Sequence, residues 1–272
     1  MGDFLSEMAE ASRARAATAR RRYRDDELDL PLPALKLGDF DVIAELKRRS
    51  PSAGALADDG LDLVAQARRY ADGGAAAVSV LTEPSRFGGA LEHLRELAAV
   101  LAGVGIPAMR KDFLVERAQL LEARAAGAGG ALLIAAMLDD ETLRDMLDCA
   151  LEHGLFVLVE AFDGDDLARL RAVLEAPRYQ DAATAGALLV GVNTRNLRTL
   201  EVDAARLAAL AAELPGGARA VAESGLATAA DAAEAAGLGY SLALVGTALM
   251  QADDPAGLLR AMRAAGRERR AA

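Results

Sequence analysis

Short apolar runs alternate with longer amphipathic segments along most of the chain. Eight of these runs have the length and continuous apolar character of buried strands, and a segment with helical periodicity follows each of them. The predicted strands are Val42–Leu46, Ala76–Leu81, Ile106–Met109, Gly130–Ala135, Phe156–Glu160, Leu188–Val192, Arg219–Ala222 and Leu242–Val245. The predicted helices are Leu61–Asp72, Ala90–Leu101, Val115–Ala126, Asp140–Glu152, Asp165–Glu175, Asp203–Glu213, Thr228–Ala236 and Pro255–Ala265.

This alternation predicts the fold class. Apolar strands between helices indicate a parallel sheet that is covered by helices. Eight such units close into a (β/α)8 TIM barrel, which typically has about 250 residues, and this chain has 272. An open, doubly wound sheet is the alternative, but the glycine pattern GxGxxG does not follow the first strand. We therefore expect an α/β barrel that occupies residues 1–272 as a single domain.

Two segments depart from the repeating pattern. Residues 1–30 have an arginine-rich helical spacing that ends at Pro31 and Pro33, which is typical of a solvent-exposed helix. We expect residues 1–38 to be an N-terminal helical extension of the barrel. The sequence between residues 176 and 186 lengthens the connection before the sixth strand, and we expect a surface loop there.

Composition and charge exclude several classes of protein. The net charge of -10 disfavours nucleic acid and anionic membranes as partners, because both bind basic surfaces. Cys149 is the only cysteine, so neither an intrachain disulfide nor a cysteine-based zinc site is expected. The first residues contain acidic side chains and no apolar signal segment, and no run is long enough to span a membrane. These features favour a cytoplasmic protein, and no extra apolar helix suggests more than a monomer.

Ionisable residues recur where the predicted strands end, and the carboxyl ends of barrel strands carry the active site. Glu45 and Lys47 are two residues apart and therefore project to the same side of the first strand. Taken alone, this pair could be a structural ion pair at a strand edge. The other strand ends carry Lys111, Glu160, Asn193, Arg195 and Glu223. Lysines and glutamates on one rim suit proton transfer, and such a lysine can be tuned toward neutral pH.

The last two loops predict a phosphate site. Ser224–Gly225 and Gly246–Thr247 offer hydroxyls and unobstructed backbone N–H groups after the seventh and eighth strands, where barrels often bind phosphate. Lys47 or Arg195 could supply a cation there.

His93 and His153 fall in helical segments, so we expect no histidine chemistry. We also expect no metal, because the lysines at the strand ends would compete with a metal ion for the carboxylates.

Motifs along nearly the whole chain resemble the indole-3-glycerol phosphate synthase family. They include ELKRRSPS at 45–52, VLTEPSRFGG at 80–89, RKDF at 110–113, LVEAF at 158–162, GVNTRNLRTLEVD at 191–203, AESG at 222–225 and LVGTALM at 244–250. The resemblance implies a barrel enzyme of tryptophan biosynthesis that needs no cofactor. It closes the pyrrole ring of 1-(2-carboxyphenylamino)-1-deoxyribulose 5-phosphate with loss of carbon dioxide and water.

The resemblance also implies roles for individual residues. Lys111 would be the general acid on the ribulose carbonyl, and Glu160 would take part in dehydration, with Glu45 and Lys47 beside them. Which lysine acts in which step stays open. Asn193, Arg195 and Glu223 would position the substrate, and Ser50 and Pro51 would begin a loop over it. The remaining matches are Phe87, Phe113 and Leu197 for the anthranilate ring, and Ser224, Gly225, Gly246 and Thr247 for the phosphate.

Three alternatives remain open from the sequence. Another phosphate-binding barrel, such as phosphoribosylanthranilate isomerase, would lack RKDF together with NTRNL. A catalytically silent barrel would have lost a key lysine or glutamate, and all the matching positions are intact here. A relative of the same fold that acts on a modified anthranilate would need substrate profiling to recognise.

Overall fold

In the computed structural model, eight parallel strands form a closed barrel within the described residues, which are 4–18, 23–50, 54–55, 61–195 and 201–272. Each strand pairs with its neighbours in the chain, and the last strand pairs with the first. We number them β1 to β8: Asp41–Leu46, Ala77–Leu81, Ala108–Lys111, Gly130–Ile134, Phe156–Ala161, Leu188–Asn193, Arg219–Glu223 and Leu242–Val245. The predicted (β/α)8 barrel is thereby confirmed, with the third strand starting two residues later than expected.

Helices cover the outside of the barrel. The helices between strands and after β8 are Leu63–Asp72, Pro84–Phe87, Leu91–Ala102, Arg117–Ala125, Asp140–Glu152, Gly164–Leu174, Pro177–Thr184, Ala205–Leu210, Ala229–Gly237, Thr247–Gln251 and Pro255–Ala271, with short 3-10 turns at Ala135–Met137 and Ala211–Glu213. Several begin where the sequence supplies a cap, because a side-chain oxygen accepts a hydrogen bond from an otherwise unpaired backbone N–H group. Asp62, Asp139, Asp163 and Thr228 are caps of this kind.

Two side-chain layers fill the fold, because successive residues of a strand face opposite sides. One set, which includes Val42, Val157 and Val190, packs outward against the helices. The other set, which includes Ile43 and Leu189, fills the barrel interior. Interior positions nearer the carboxyl ends of the strands carry the ionisable side chains, so the barrel changes from apolar to charged along its axis.

The N-terminal extension differs from the expectation of one exposed helix over residues 1–30. The structure has a helix at Phe4–Thr18 and a short second helix at Asp25–Leu28. The first helix buries Leu5, Met8, Ala9, Ser12 and Ala16, so one of its faces packs on the barrel. Its small and apolar side chains recur every three or four residues between the arginines, which is a helical core stripe rather than a solvated face.

The expected loop at residues 176–186 is also different. It contains the helix Pro177–Thr184, which begins with proline at its first position and buries Tyr179 and Ala183. The Tyr179 hydroxyl donates to Asp148 Oδ1 at 2.8 Å on a neighbouring helix. This segment is therefore part of the helical layer.

Two short features complete the described chain. The residues Arg49–Ser50 and Gly54–Ala55 pair as a small antiparallel sheet after β1. Among the described residues, no helix is both long enough and apolar enough to cross a membrane.

Asp41 fastens the C-terminal helix to the start of β1. Its buried carboxylate accepts hydrogen bonds from Arg263 Nε at 3.0 Å and Arg267 Nη2 at 2.7 Å.

We predict that Asp41→Ala lowers the free energy of unfolding by about 1–3 kcal/mol, because charged hydrogen bonds are lost. The loss is no larger because both arginines can instead bind water. Urea unfolding tests this, with the exposed Asp39→Ala as the control, and equal stability of the two variants would contradict it.

Candidate active site

Lys111 lies at the centre of the charged end of the barrel, on the last residue of β3. Its Nζ atom is 3.4 Å from Glu223 Oε2, 3.5 Å from Glu160 Oε2 and 4.0 Å from Glu45 Oε2. The three carboxylates come from β7, β5 and β1 and project inward at the same end of the barrel. The structure thus brings together predicted residues that are up to 178 positions apart, as from Glu45 to Glu223.

The surroundings of Lys111 favour its charged form. Burial alone would lower the pKa of the amine, but the attraction of Glu223, Glu160 and Glu45 outweighs burial and raises the pKa well above the ordinary lysine value. The expectation that such a lysine is tuned toward neutral pH is therefore wrong for Lys111. The reason is that its nearest neighbours are all carboxyl groups.

The surroundings of Glu223 favour its uncharged form, whereas those of Lys111 favour its charged form. Burial, helped by repulsion from Glu160, raises the pKa of Glu223 from 4.5 to about 8, although Lys111 opposes this shift. Its Oε1 atom is buried and has no hydrogen-bond partner among the described residues. Burial therefore favours the protonated form of the Glu223 carboxyl, whereas the adjacent Lys111 favours its ionised form.

Glu45 and Lys47 form a second pair on the same rim, with Lys47 Nζ 2.6 Å from Glu45 Oε1. Burial works against the charge of Glu45, but Lys47 and Lys111 together lower its pKa. Gly246 makes this pair possible, since a Cβ atom there would lie 2.4 Å from Glu45 Oε1 and 2.9 Å from Lys47 Nζ. The first strand therefore contributes an ion pair that faces the loop after β8.

Asn193 fixes the orientation of Glu160. The Asn193 amide donates through Nδ2 to Glu160 Oε1 at 2.9 Å, and its Oδ1 accepts from the Arg195 backbone N–H at 2.9 Å. Glu160 thus receives an amide on one oxygen and Lys111 on the other. Arg195 is partly buried in the same cavity, where burial lowers the pKa of its guanidinium against the attraction of Glu45.

A cavity of about 350 Å³ opens above these residues. Three phenylalanines form an apolar wall on one side: the ring centroids of Phe4 and Phe113 are 5.8 Å apart, and those of Phe87 and Phe113 are 6.2 Å apart. Leu132 and Ile134 line the cavity as well. Edge-to-face and tilted aromatic contacts of this kind stabilise a rigid apolar surface.

The glycine-containing loops after β7 and β8 line the cavity too, through Ser224, Gly225, Gly246 and Thr247. Ser224 has a φ of 66° and Gly225 a φ of 78°, so two left-handed residues follow β7 in succession. A left-handed serine is strained, and such strain is concentrated at functional sites. Because β3 and β7 are four strands apart in an eight-stranded barrel, the loop after β7 lies across the cavity from Phe113, which follows β3.

Some predicted site residues cannot be compared with the structure. Pro51 and Leu197 lie outside the described residues. Ser50 is in the short strand Arg49–Ser50, and its part in binding stays a prediction. Within the described ranges, no group of three or more His, Cys, Asp or Glu side chains is arranged to hold a metal ion.

Sequence reasoning missed Phe4, which contributes to the aromatic wall from the N-terminal helix. That helix is held at the rim by Arg15, whose Nη2 donates to Asp112 Oδ1 at 2.7 Å, and by Ser12, which accepts from Gln119 Nε2 at 2.8 Å. The apolar positions Leu5, Met8 and Ala9 after Phe4 were the available signal. The extension therefore supplies part of the cavity.

Comparison with known proteins agrees with this geometry. The family model described as indole-3-glycerol phosphate synthase matches residues 24–262. The chain is 47% identical over 234 residues to the Nocardioides sp. protein named indole-3-glycerol phosphate synthase, covering 85% of this chain and 83% of that protein. It is 45% identical over 240 residues to the Parafrankia sp. protein of the same name, covering 88% and 84%.

A solved structure supports the fold. The 3-hexulose-6-phosphate synthase from Salmonella typhimurium superposes with a TM-score of 0.63 at 20% identity, covering 85% of this chain and 100% of that chain. At this level of identity the likeness concerns the barrel architecture alone.

The raised pKa of Glu223 predicts a pH-dependent stability. A glutamate in the unfolded chain loses its proton near pH 4.5, whereas Glu223 in the folded protein keeps its proton up to about pH 8. The folded state therefore binds more protons in this window, and stability falls as pH rises through it. Relative to Glu223→Gln, we predict that the wild type loses on the order of 3 kcal/mol between pH 5 and pH 9.

Urea unfolding at a series of pH values measures this difference. Glu234→Gln, at an exposed helical position, is the matched control and should follow the wild type. A constant stability difference between the wild type and Glu223→Gln across the whole range would contradict the assignment.

Proposed function

The chain belongs to the indole-3-glycerol phosphate synthase family, and on that premise we propose that the cavity around Lys111 is the site of the ring closure. The reaction converts 1-(2-carboxyphenylamino)-1-deoxyribulose 5-phosphate to indole-3-glycerol phosphate and releases carbon dioxide and water. It is a carboxy-lyase reaction of tryptophan biosynthesis.

The observation that carries this proposal is the position of Lys111. A buried ammonium ion lies within 3.5 Å of Glu160 and Glu223, at the floor of an open cavity. Carboxylates hold the ammonium in place before substrate arrives, so little reorganisation is needed during the reaction. Such a group is suited to a carbonyl oxygen on which negative charge develops.

In the first chemical step, Lys111 donates a hydrogen bond and then a proton toward the ribulose carbonyl oxygen. The carbonyl carbon becomes electrophilic, and the anthranilate ring carbon that bears the carboxylate forms the new carbon–carbon bond. Loss of carbon dioxide leaves the bonding electrons in the ring and restores its aromaticity. The positive charge of Lys111 also stabilises the negative charge that develops on the carbonyl oxygen before the proton is transferred.

The second step removes water from the closed ring. We assign Glu160 to this dehydration, because Asn193 holds its carboxylate and leaves the other oxygen next to Lys111. The pair of Glu45 and Lys47 stands on the same rim and can supply a proton to the departing hydroxyl.

The two ends of the cavity fit the two ends of the substrate. The aromatic wall of Phe4, Phe87 and Phe113 suits the anthranilate ring. The loops after β7 and β8 lie opposite, where Ser224, Gly225, Gly246 and Thr247 would bind the phosphate. Arg195 and Lys47 supply positive charge between the two ends, and phosphate binding far from the reacting carbons orients them.

We further propose a single-domain, monomeric, cytoplasmic enzyme that binds a small phosphorylated substrate and no nucleic acid or membrane. The net charge of -10 supports this, and so does the packing of the extension against the barrel. A modified anthranilate as the natural substrate is the alternative within the family, and substrate profiling distinguishes the two.

Incubation of the purified protein with the substrate tests the proposal, with product followed by indole fluorescence. We predict turnover by the wild type and a loss of at least about 10²-fold in kcat for Lys111→Ala, because general acid catalysis contributes that much or more. Lys36→Ala, at an exposed lysine outside the cavity, is the matched control and should keep wild-type kcat. An inactive folded wild type would overturn the function, and an active Lys111→Ala would remove Lys111 from its role.

Phe4 supplies a second prediction for the proposed ring pocket. Phe4→Ala should raise KM about tenfold, because it removes an aromatic face from the wall. Phe4→Leu keeps an apolar side chain and should lie closer to the wild type. Steady-state kinetics with both variants measure this, and an unchanged KM for Phe4→Ala would show that the ring binds elsewhere.

A further inference from the structure

Gly191 lies inside the barrel at the level of the catalytic charges. It is on β6 between Leu189, which belongs to the interior core, and Asn193, which holds Glu160. In the sheet it pairs with Glu160 on one side and Val221 on the other. A strand interior usually carries a side chain that packs, and glycine there often marks a close approach by another group.

The group that approaches Gly191 is the Glu223 carboxyl. A Cβ atom built on Gly191 would lie 2.0 Å from Glu223 Oε1 and 3.1 Å from Glu223 Cδ. The Cβ atom would also lie 3.1 Å from Leu158 Cδ1. The first distance is far below any real contact between a carbon and an oxygen, so Glu223 occupies the space that a side chain at 191 would fill.

The position of Glu223 depends on this space. Its Oε1 atom rests against Gly191, and its Oε2 atom is 3.4 Å from Lys111 Nζ. A methyl group at 191 would push the carboxyl away from β6, toward Lys111 and Glu160 or out of the cluster. Either movement changes the geometry that holds the ammonium, because close-packed interiors do not absorb such a displacement without strain.

We propose that Gly191 is a positioning residue for the ring-closure reaction, because its missing side chain is the space in which the Glu223 carboxyl supports Lys111. Gly191 is not among the residues that line the cavity, so it acts through Glu223. The kinetic consequence rests on the proposed function, whereas the steric coupling between the two positions does not.

A thermal double-mutant cycle tests the steric coupling without using activity. Gly191→Ala should lower the Tm by about 3–10 °C when Glu223 is present, which is the range expected for overpacking a core position. In a Glu223→Ala background the carboxyl is absent, so Gly191→Ala should lower the Tm by less than half as much. Gly216→Ala is the matched control, because a Cβ atom at Gly216 meets nothing within 4 Å.

The kinetic arm distinguishes positioning from a general loss of structure. Gly191→Ala should lower kcat by about 10²-fold, as displacement of a catalytic group by about 1 Å can do. Its KM should change less than its kcat, because the side chains of the aromatic wall and of the phosphate loops are unaltered. Glu223→Asp withdraws the carboxyl from position 191, so Gly191→Ala should cause little further loss of kcat in that background.

Equal Tm losses in the two backgrounds would overturn the proposal, and so would wild-type kcat in Gly191→Ala. If Gly191→Ala does not fold, recovery of folding in Gly191→Ala/Glu223→Ala supports the proposal and continued misfolding refutes it. An inactive wild type would refute the proposed function and leave the thermal cycle to decide the coupling.

Discussion

The charge of Lys111 is the interaction on which the rest of the site depends. A buried ammonium ion is stable only when partners for its charge and its N–H groups lie close by, and the carboxyl groups of three glutamates on β1, β5 and β7 lie within 4.0 Å of it. The barrel makes this possible, because its strands end at one rim and project alternate side chains inward. Each glutamate is in turn constrained by a neighbour, Glu45 by Lys47, Glu160 by Asn193 and Glu223 by the backbone of Gly191.

Three features at this rim of the barrel are unfavourable for the stability of the folded chain. The pKa of Glu223 is raised because the carboxyl is buried, one of its oxygens has no partner in the described part of the chain, and Ser224 after it is left-handed. Fold stability does not require any of these features. They are consistent with a site that is arranged for a substrate with a carbonyl, a carboxylate and a phosphate, and the aliphatic core beneath it offsets their cost.

Sequence reasoning succeeded where the signal is local or repeats. The eight strands follow from short apolar runs, and Lys111 and Glu160 follow from their positions at strand ends. It failed where the outcome depends on distant neighbours. The pKa of Lys111 is set by residues on three other strands. Phe4 reaches the cavity because its helix packs on the barrel, where Arg15 Nη2 donates to Asp112 Oδ1 at 2.7 Å. The helix Pro177–Thr184 was missed because its two buried residues, Tyr179 and Ala183, make too short a pattern to distinguish it from a loop.

The central claim is that Lys111 remains an ammonium ion in the free site, and NMR of the lysine Nζ atoms tests it most directly. The chain has three lysines, Lys36, Lys47 and Lys111, so ¹⁵N-lysine labelling gives few signals to assign. The signal that disappears in Lys111→Met identifies the residue. We predict that this signal stays that of a charged amine beyond about pH 10.4, the ordinary lysine pKa. Loss of the Lys111 proton between about pH 7 and pH 9 would contradict the account.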